Sequence, residues 1–91
     1  MRRDRWARLH LLMEGEGKQF VVVTSRRVGN AVKRNRARRI FGEAIRLLMT
    51  DIKPGTRGAF VLRPEAATAS LAQARACVQE LLAACEALDA D

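Results

Sequence analysis

Between Ser25 and Arg39 the chain reads SRRVGNAVKRNRARR, seven Lys or Arg side chains with no acid among them. Charges that cluster this tightly, rather than scatter, argue against a merely solvated surface kept for solubility. Crowded like charges also repel along a helix. Cations near a helix N-terminus oppose the helix dipole as well. Phosphates would relieve both penalties, whereas the plainer reading, a solvated basic face, leaves them standing.

The charge distribution supports the polyanion reading. Residues 1–46 hold 13 Lys or Arg against 4 acids, while residues 47–91 hold 4 against 6, which gives +9 and −2 and the net +7. A cationic half on a small domain is an electrostatic footprint for nucleic acid. Arginine outnumbers lysine there, and its planar fork suits phosphate oxygens.

A length of 91 residues fits one domain with a modest core, taken as 1–91. No apolar run approaches the ~20 residues that span a bilayer. Met1-Arg2-Arg3 has the basic start of a secretory signal, but no apolar segment follows. The expectation is a cytoplasmic protein. Its cysteines, Cys77 and Cys85, would then be free thiols. Eight residues apart on one helix, they sit about 12 Å apart, too far for a bridge. They read as small core residues.

Along the chain, Arg5 to Met13 alternate as a half-buried strand, with Leu9, Leu11 and Met13 on one side and Arg8 and His10 on the other. Glu14 to Gly17 form a turn, and Phe20 to Thr24 a β-branched strand, so the two strands are expected to pair as an antiparallel hairpin. Asn30 is placed to cap a helix from Ala31 to about Met49, with Ala37, Ile40, Phe41, Ala44 and Leu48 on its apolar stripe. Gly42 interrupts that helix, and close packing is the expected reason. Asp51 to Arg57 read as a loop, and Gly58 to Arg63 as a strand buried on both faces. Ser70 and Gln73 form a capping box for a second helix, with Leu71, Ala74, Val78, Leu81, Cys85 and Leu88 inward. The order β-β-α-β-α gives an α+β protein, a small antiparallel or mixed sheet covered by two helices.

No catalytic constellation is legible. His10 is the single histidine and has no ligand partner at metal spacing. No acids are paired for acid–base work or Mg²⁺ binding, no serine has a base nearby, and there is no glycine-rich phosphate loop.

VGNAVKRNRARR resembles the signature helix of the bacterial ribonuclease P protein family. That family carries Gly-x-Ala-Val-x-Arg-Asn-Arg-x-(Lys/Arg)-Arg after a strand ending in Ser-(Lys/Arg)-(Lys/Arg). Ser25, Arg26 and Arg27 match the strand end. Gly29, Ala31 and Val32 match the lead-in, Arg34, Asn35 and Arg36 the core, and Arg38 and Arg39 its tail. Glu43-Ala44 fits the usual Glu-Ala downstream.

The resemblance implies a noncatalytic subunit of an endoribonuclease, whose RNA subunit removes the 5′ leader of precursor tRNA with Mg²⁺. The protein would bind no cofactor or small-molecule substrate itself and would not engage a membrane. Its partners would be the RNA subunit and precursor tRNA. It implies an α-β sandwich with a left-handed strand-helix-strand crossover. RNA contacts would come from Arg26, Arg27, Asn30, Lys33, Arg34, Asn35, Arg36, Arg38 and Arg39. On this resemblance the given sequence would begin near the family's second strand, and the usual front helix and first strand, which help build the leader cleft, would be expected to lack a counterpart in it. Trp6 and Phe20 would remain to meet a leader on the open sheet face, although Trp6 could instead pad the core. The alternatives are a small ribosomal or other structural RNA-binding protein and a DNA-binding helix-turn-helix protein. The second needs two adjacent helices, and here a strand precedes the basic one.

Overall fold

A computed structural model describes residues 2–13 and 17–88. Its strands are β1 (Arg2–Arg3), β2 (Ala7–Met13), β3 (Gln19–Val23) and β4 (Thr56–Leu62), and its helices α1 (Ala31–Leu48) and α2 (Leu71–Ala84). Short 3-10 turns at Arg26–Val28, Met49–Asp51 and Pro64–Thr68 join them. The expected turn residues Glu14 to Glu16 lie outside the described residues.

The sheet is mixed, in the order β1-β2-β4-β3. The expected hairpin is therefore wrong. β4 lies between β2 and β3, antiparallel to the first with Leu9 opposite Phe60, and parallel to the second with Val22 opposite Phe60. The reason is burial. Phe60 is fully buried at the middle of the inserted strand, 5.8 Å centroid to centroid from Phe20. A two-stranded ribbon has no such inner position. β4 also begins at Thr56, not Gly58, because Thr56 pairs with Met13 and its buried Oγ1 donates to Lys53 O at 2.6 Å. It is buried on one face only, since Arg57 is exposed and Ala59 and Val61 are half-buried. A further short strand, β1, stands ahead of β2.

Both helices contribute to one core against the inner face of the sheet. It gathers Leu9, Phe60 and Leu62 from the sheet, Ala37, Phe41, Ala44, Ile45 and Leu48 from α1, and Ala74, Cys77, Val78, Leu81 and Leu82 from α2. Each fully buried large side chain contributes about 1.5–3 kcal/mol. The α1 stripe holds as read, except that Ile45 joins it and Ile40 is only half-buried. On α2, Leu71 is 38% exposed and Cys85 is the half-buried C-cap, while Cys77 and Leu82 take inner places. The capping box forms, with Gln73 N donating to Ser70 Oγ at 3.1 Å and Ser70 N to Gln73 Oε1 at 2.9 Å. A Cβ added at Gly42 meets nothing within 4 Å, so close packing does not explain that glycine.

The outer face of the sheet carries no helix residue of that core. Cross-strand register puts Arg3, Arg8, Val61 and Val23 in one row, and His10, Ala59 and Val21 in the next. Arg57 and Gln19 follow. Val21 and Val23 are 51% and 43% exposed, so this face is open and apolar at its centre, with arginines at its margins.

Candidate nucleic-acid interface

The basic segment folds as a turn followed by a capped helix. Ser25 Oγ accepts from Arg27 N at 3.3 Å and starts the Arg26–Val28 turn. Gly29 follows at φ 140°, a conformation that favours glycine. Asn30 Oδ1 accepts from Lys33 N at 3.0 Å and caps α1. The cap contributes about 1 kcal/mol. Val28, fully tucked in, anchors the turn to the core.

The predicted contact residues divide into two groups. Arg26, Arg27, Asn30, Lys33, Asn35, Arg38 and Arg39 are exposed, as are Ala31 and Val32. Arg34 and Arg36 are half-buried and turn inward. Arg34 Nη1 donates to Gly29 O at 2.9 Å, bracing the start of the helix. Arg36 Nη1 and Nη2 donate to Ala67 O and Ala69 O, each at 3.1 Å. Asn35 Oδ1 accepts from Arg38 and steers it. About two turns past Arg39, Arg46 pairs with Glu43 at the surface. The hydrogen bond from Arg46 holds the Glu43 carboxyl below its usual pKa and raises that of Arg46, so Arg46 is not a free cation like Arg38 and Arg39.

A cleft of about 190 Å³ opens where the C-terminal ends of β3 and β4 meet the loops. Arg8, Ser25, Arg27, Arg63, Pro64 and Glu65 line it. Arg63 is held in place: its backbone N donates to Trp6 O at 2.8 Å, its Nη1 to Asp4 O at 3.2 Å, and Glu65 lies 3.8 Å from its Nε. Arg8 was legible as the polar side of a strand. Arg63 was not, because only β4's central position brings it beside Arg8 and Arg27.

Phe20 does not lie on the open face. Its ring points to the helix side and packs with Phe60. Trp6 also packs against the core, and the Arg5 guanidinium carbon sits 4.8 Å from its ring centroid. His10 is an exposed residue of the open face. Among the described residues no group of three or more His, Cys, Asp or Glu could hold a metal, and no helix is long and apolar enough to cross a membrane.

A small α+β protein that sets an exposed cationic helix turn beside an arginine-lined cleft is built to hold a polyanion. Known proteins give that class its family. The Ribonuclease P family model matches residues 2–86, and the chain belongs to that family. A ribonuclease P protein component from Chloroflexus aggregans is 41% identical over 68 residues, covering 74% of this chain and 50% of the relative. One from a Roseiflexus species is 46% identical over 61 residues, covering 66% and 50%. The chain thus spans about half the length of these curated relatives. The Staphylococcus aureus RNase P protein superposes with a TM-score of 0.82 over 96% of this chain and 81% of its own, at 17% identity. The Thermotoga maritima protein, in complex with 1-(4-fluorophenyl)-2-thiourea, gives 0.78 over 88% and 79%, at 19% identity. These two establish likeness of fold.

Proposed function

We propose that this chain is the protein subunit of a ribonuclease P and acts by binding and orienting RNA. The observation that carries this is the outward display of Arg26, Lys33, Arg38 and Arg39 around a capped helix start, beside the Arg8–Arg27–Arg63 cleft. The exposed cations of the turn and helix meet phosphates of the RNA subunit, and backbone N–H groups at the helix start add anion contacts. The precursor tRNA leader runs along the open sheet face to the cleft, where Arg8, Arg27 and Arg63 engage its phosphates. The apolar centre of that face, Val21, Ala59 and Val23, gives unpaired bases a surface to lie on. Mg²⁺ belongs to the RNA-containing holoenzyme, where it would supply hydrolysis. The protein's described residues do not fit a metal site, and its part is positioning.

Reconstitution tests this. With the RNA subunit of ribonuclease P, the protein is expected to bind and to raise affinity for precursor over mature tRNA. Arg63→Ala should reduce that preference without weakening binding to the RNA subunit. No binding to the RNA subunit, with ribosomal RNA recovered instead from the purified protein, would overturn the proposal.

A further inference from the structure

We infer that Arg36, at the centre of the basic helix, is a positioning residue and not a phosphate contact. This inference rests on the proposed function for its RNA readouts and on geometry alone for its protein readout. Both terminal nitrogens of Arg36 are committed to backbone carbonyls, those of Ala67 and Ala69, at 3.1 Å each. These carbonyls lie 31 and 33 residues away on the segment that closes the Pro64–Thr68 turn and leads into α2. The side chain is half-buried beneath that segment, whereas Arg38 and Arg39 are exposed.

The segment it holds is a wall of the cleft. Pro64 and Glu65 open the turn and line the cleft together with Arg63. Arg36 therefore ties the helix that meets the RNA subunit to the wall that meets the leader, and fixes the distance between the two surfaces. A planar guanidinium suits two carbonyls two residues apart, one to each terminal nitrogen. A lysine keeps the charge but presents a single ammonium on a flexible stem, so it cannot reproduce the fork. Charge and geometry can thus be separated at this position.

The test compares Arg36→Lys, Arg36→Ala and Arg38→Ala with the unmodified chain, each reconstituted with the RNA subunit. Three quantities are read: the salt dependence of RNA-subunit binding, the preference for precursor over mature tRNA, and the amide resonances of Thr68 and Ser70 in the free protein. Those amides follow the two carbonyls in the chain and report the loss of their hydrogen bonds. In Arg36→Lys the salt slope should be unchanged, the two resonances should move, and the preference should fall about tenfold, the equivalent of one hydrogen bond. Arg38→Ala should do the reverse, lowering the slope by roughly 0.7–0.9 and leaving Thr68 and Ser70 in place. A general loss of stability would lower the melting temperature without lowering the preference of the folded fraction. Full retention of the preference with unmoved resonances in Arg36→Lys would overturn the inference. So would an Arg36→Ala slope that falls as far as that of Arg38→Ala. If the unmodified chain fails to bind the RNA subunit, the proposed function fails and the leader role falls with it, and the resonances alone then decide whether Arg36 sets the turn.

Discussion

Replacing Gly29 by alanine should damage the protein more than its surface position suggests. At φ 140° and ψ −161°, Gly29 occupies a region that is essentially closed to residues with a Cβ. Such strain costs about 1–3 kcal/mol. A Cβ built there would also come within 2.7 Å of Lys33 Cδ and 3.0 Å of Lys33 Cβ. The lysine Cδ can swing aside, but its Cβ is fixed to the first turn of α1, so that turn must shift. The backbone of Gly29 also takes part in two hydrogen bonds, Gly29 N to Arg26 O at 3.1 Å and Arg34 Nη1 to Gly29 O at 2.9 Å. A total of about 2–3 kcal/mol follows, taking strain as the main part. At about 4–8 °C per kcal/mol for a domain this size, the midpoint of thermal unfolding should fall by roughly 8–24 °C. The assay is a melt followed by circular dichroism. A fall of less than about 3 °C would refute the argument that the backbone at Gly29 is closed to other residues.

Gly42→Ala should act in the opposite direction, since its Cβ would meet nothing and the helix gains about 0.5–1 kcal/mol; a melt checks this, and an unchanged or lower midpoint would contradict it. Cys77 is buried, and its pKa is pushed well up by desolvation and then by its hydrogen bond to Asp4 Oδ1 at 3.2 Å. A thiol reagent near pH 8 should therefore label Cys85 first and Cys77 only as the protein unfolds, with mass spectrometry locating the label; equal labelling of the folded protein would count against the buried thiol. Rigorously RNA-free protein should not cleave precursor tRNA with or without Mg²⁺, as gel assays of leader release would reveal.

The helices and their faces were legible in the sequence because their signals are local. Asn30, Ser70 and Gln73 are caps defined within four residues, and the stripe from Ala37 to Leu48 is periodic. The sheet order was not legible. β2 and β3 are close in sequence, and loop entropy favours pairing them, but burial of Phe60 between Leu9 and Val22 outweighs that local preference. Phe20 was placed on the wrong face for the same reason: only the observed register shows which side of β3 turns inward. In the basic segment, composition marked every cation but could not tell outward from inward ones. The fork of Arg36 on Ala67 and Ala69, and the approach of Arg63 to Arg8 and Arg27, are long-range contacts with no sequence signature.

The salt dependence of binding to the ribonuclease P RNA subunit tests the central claim most directly. Each neutralised phosphate releases counterions, so log affinity should fall linearly with log salt concentration. Replacing Lys33, Arg38 and Arg39 together by alanine should flatten that line by about two to three units, at roughly 0.7–0.9 per contact. An unchanged slope in the triple variant would contradict the claim that this exposed helix face holds RNA.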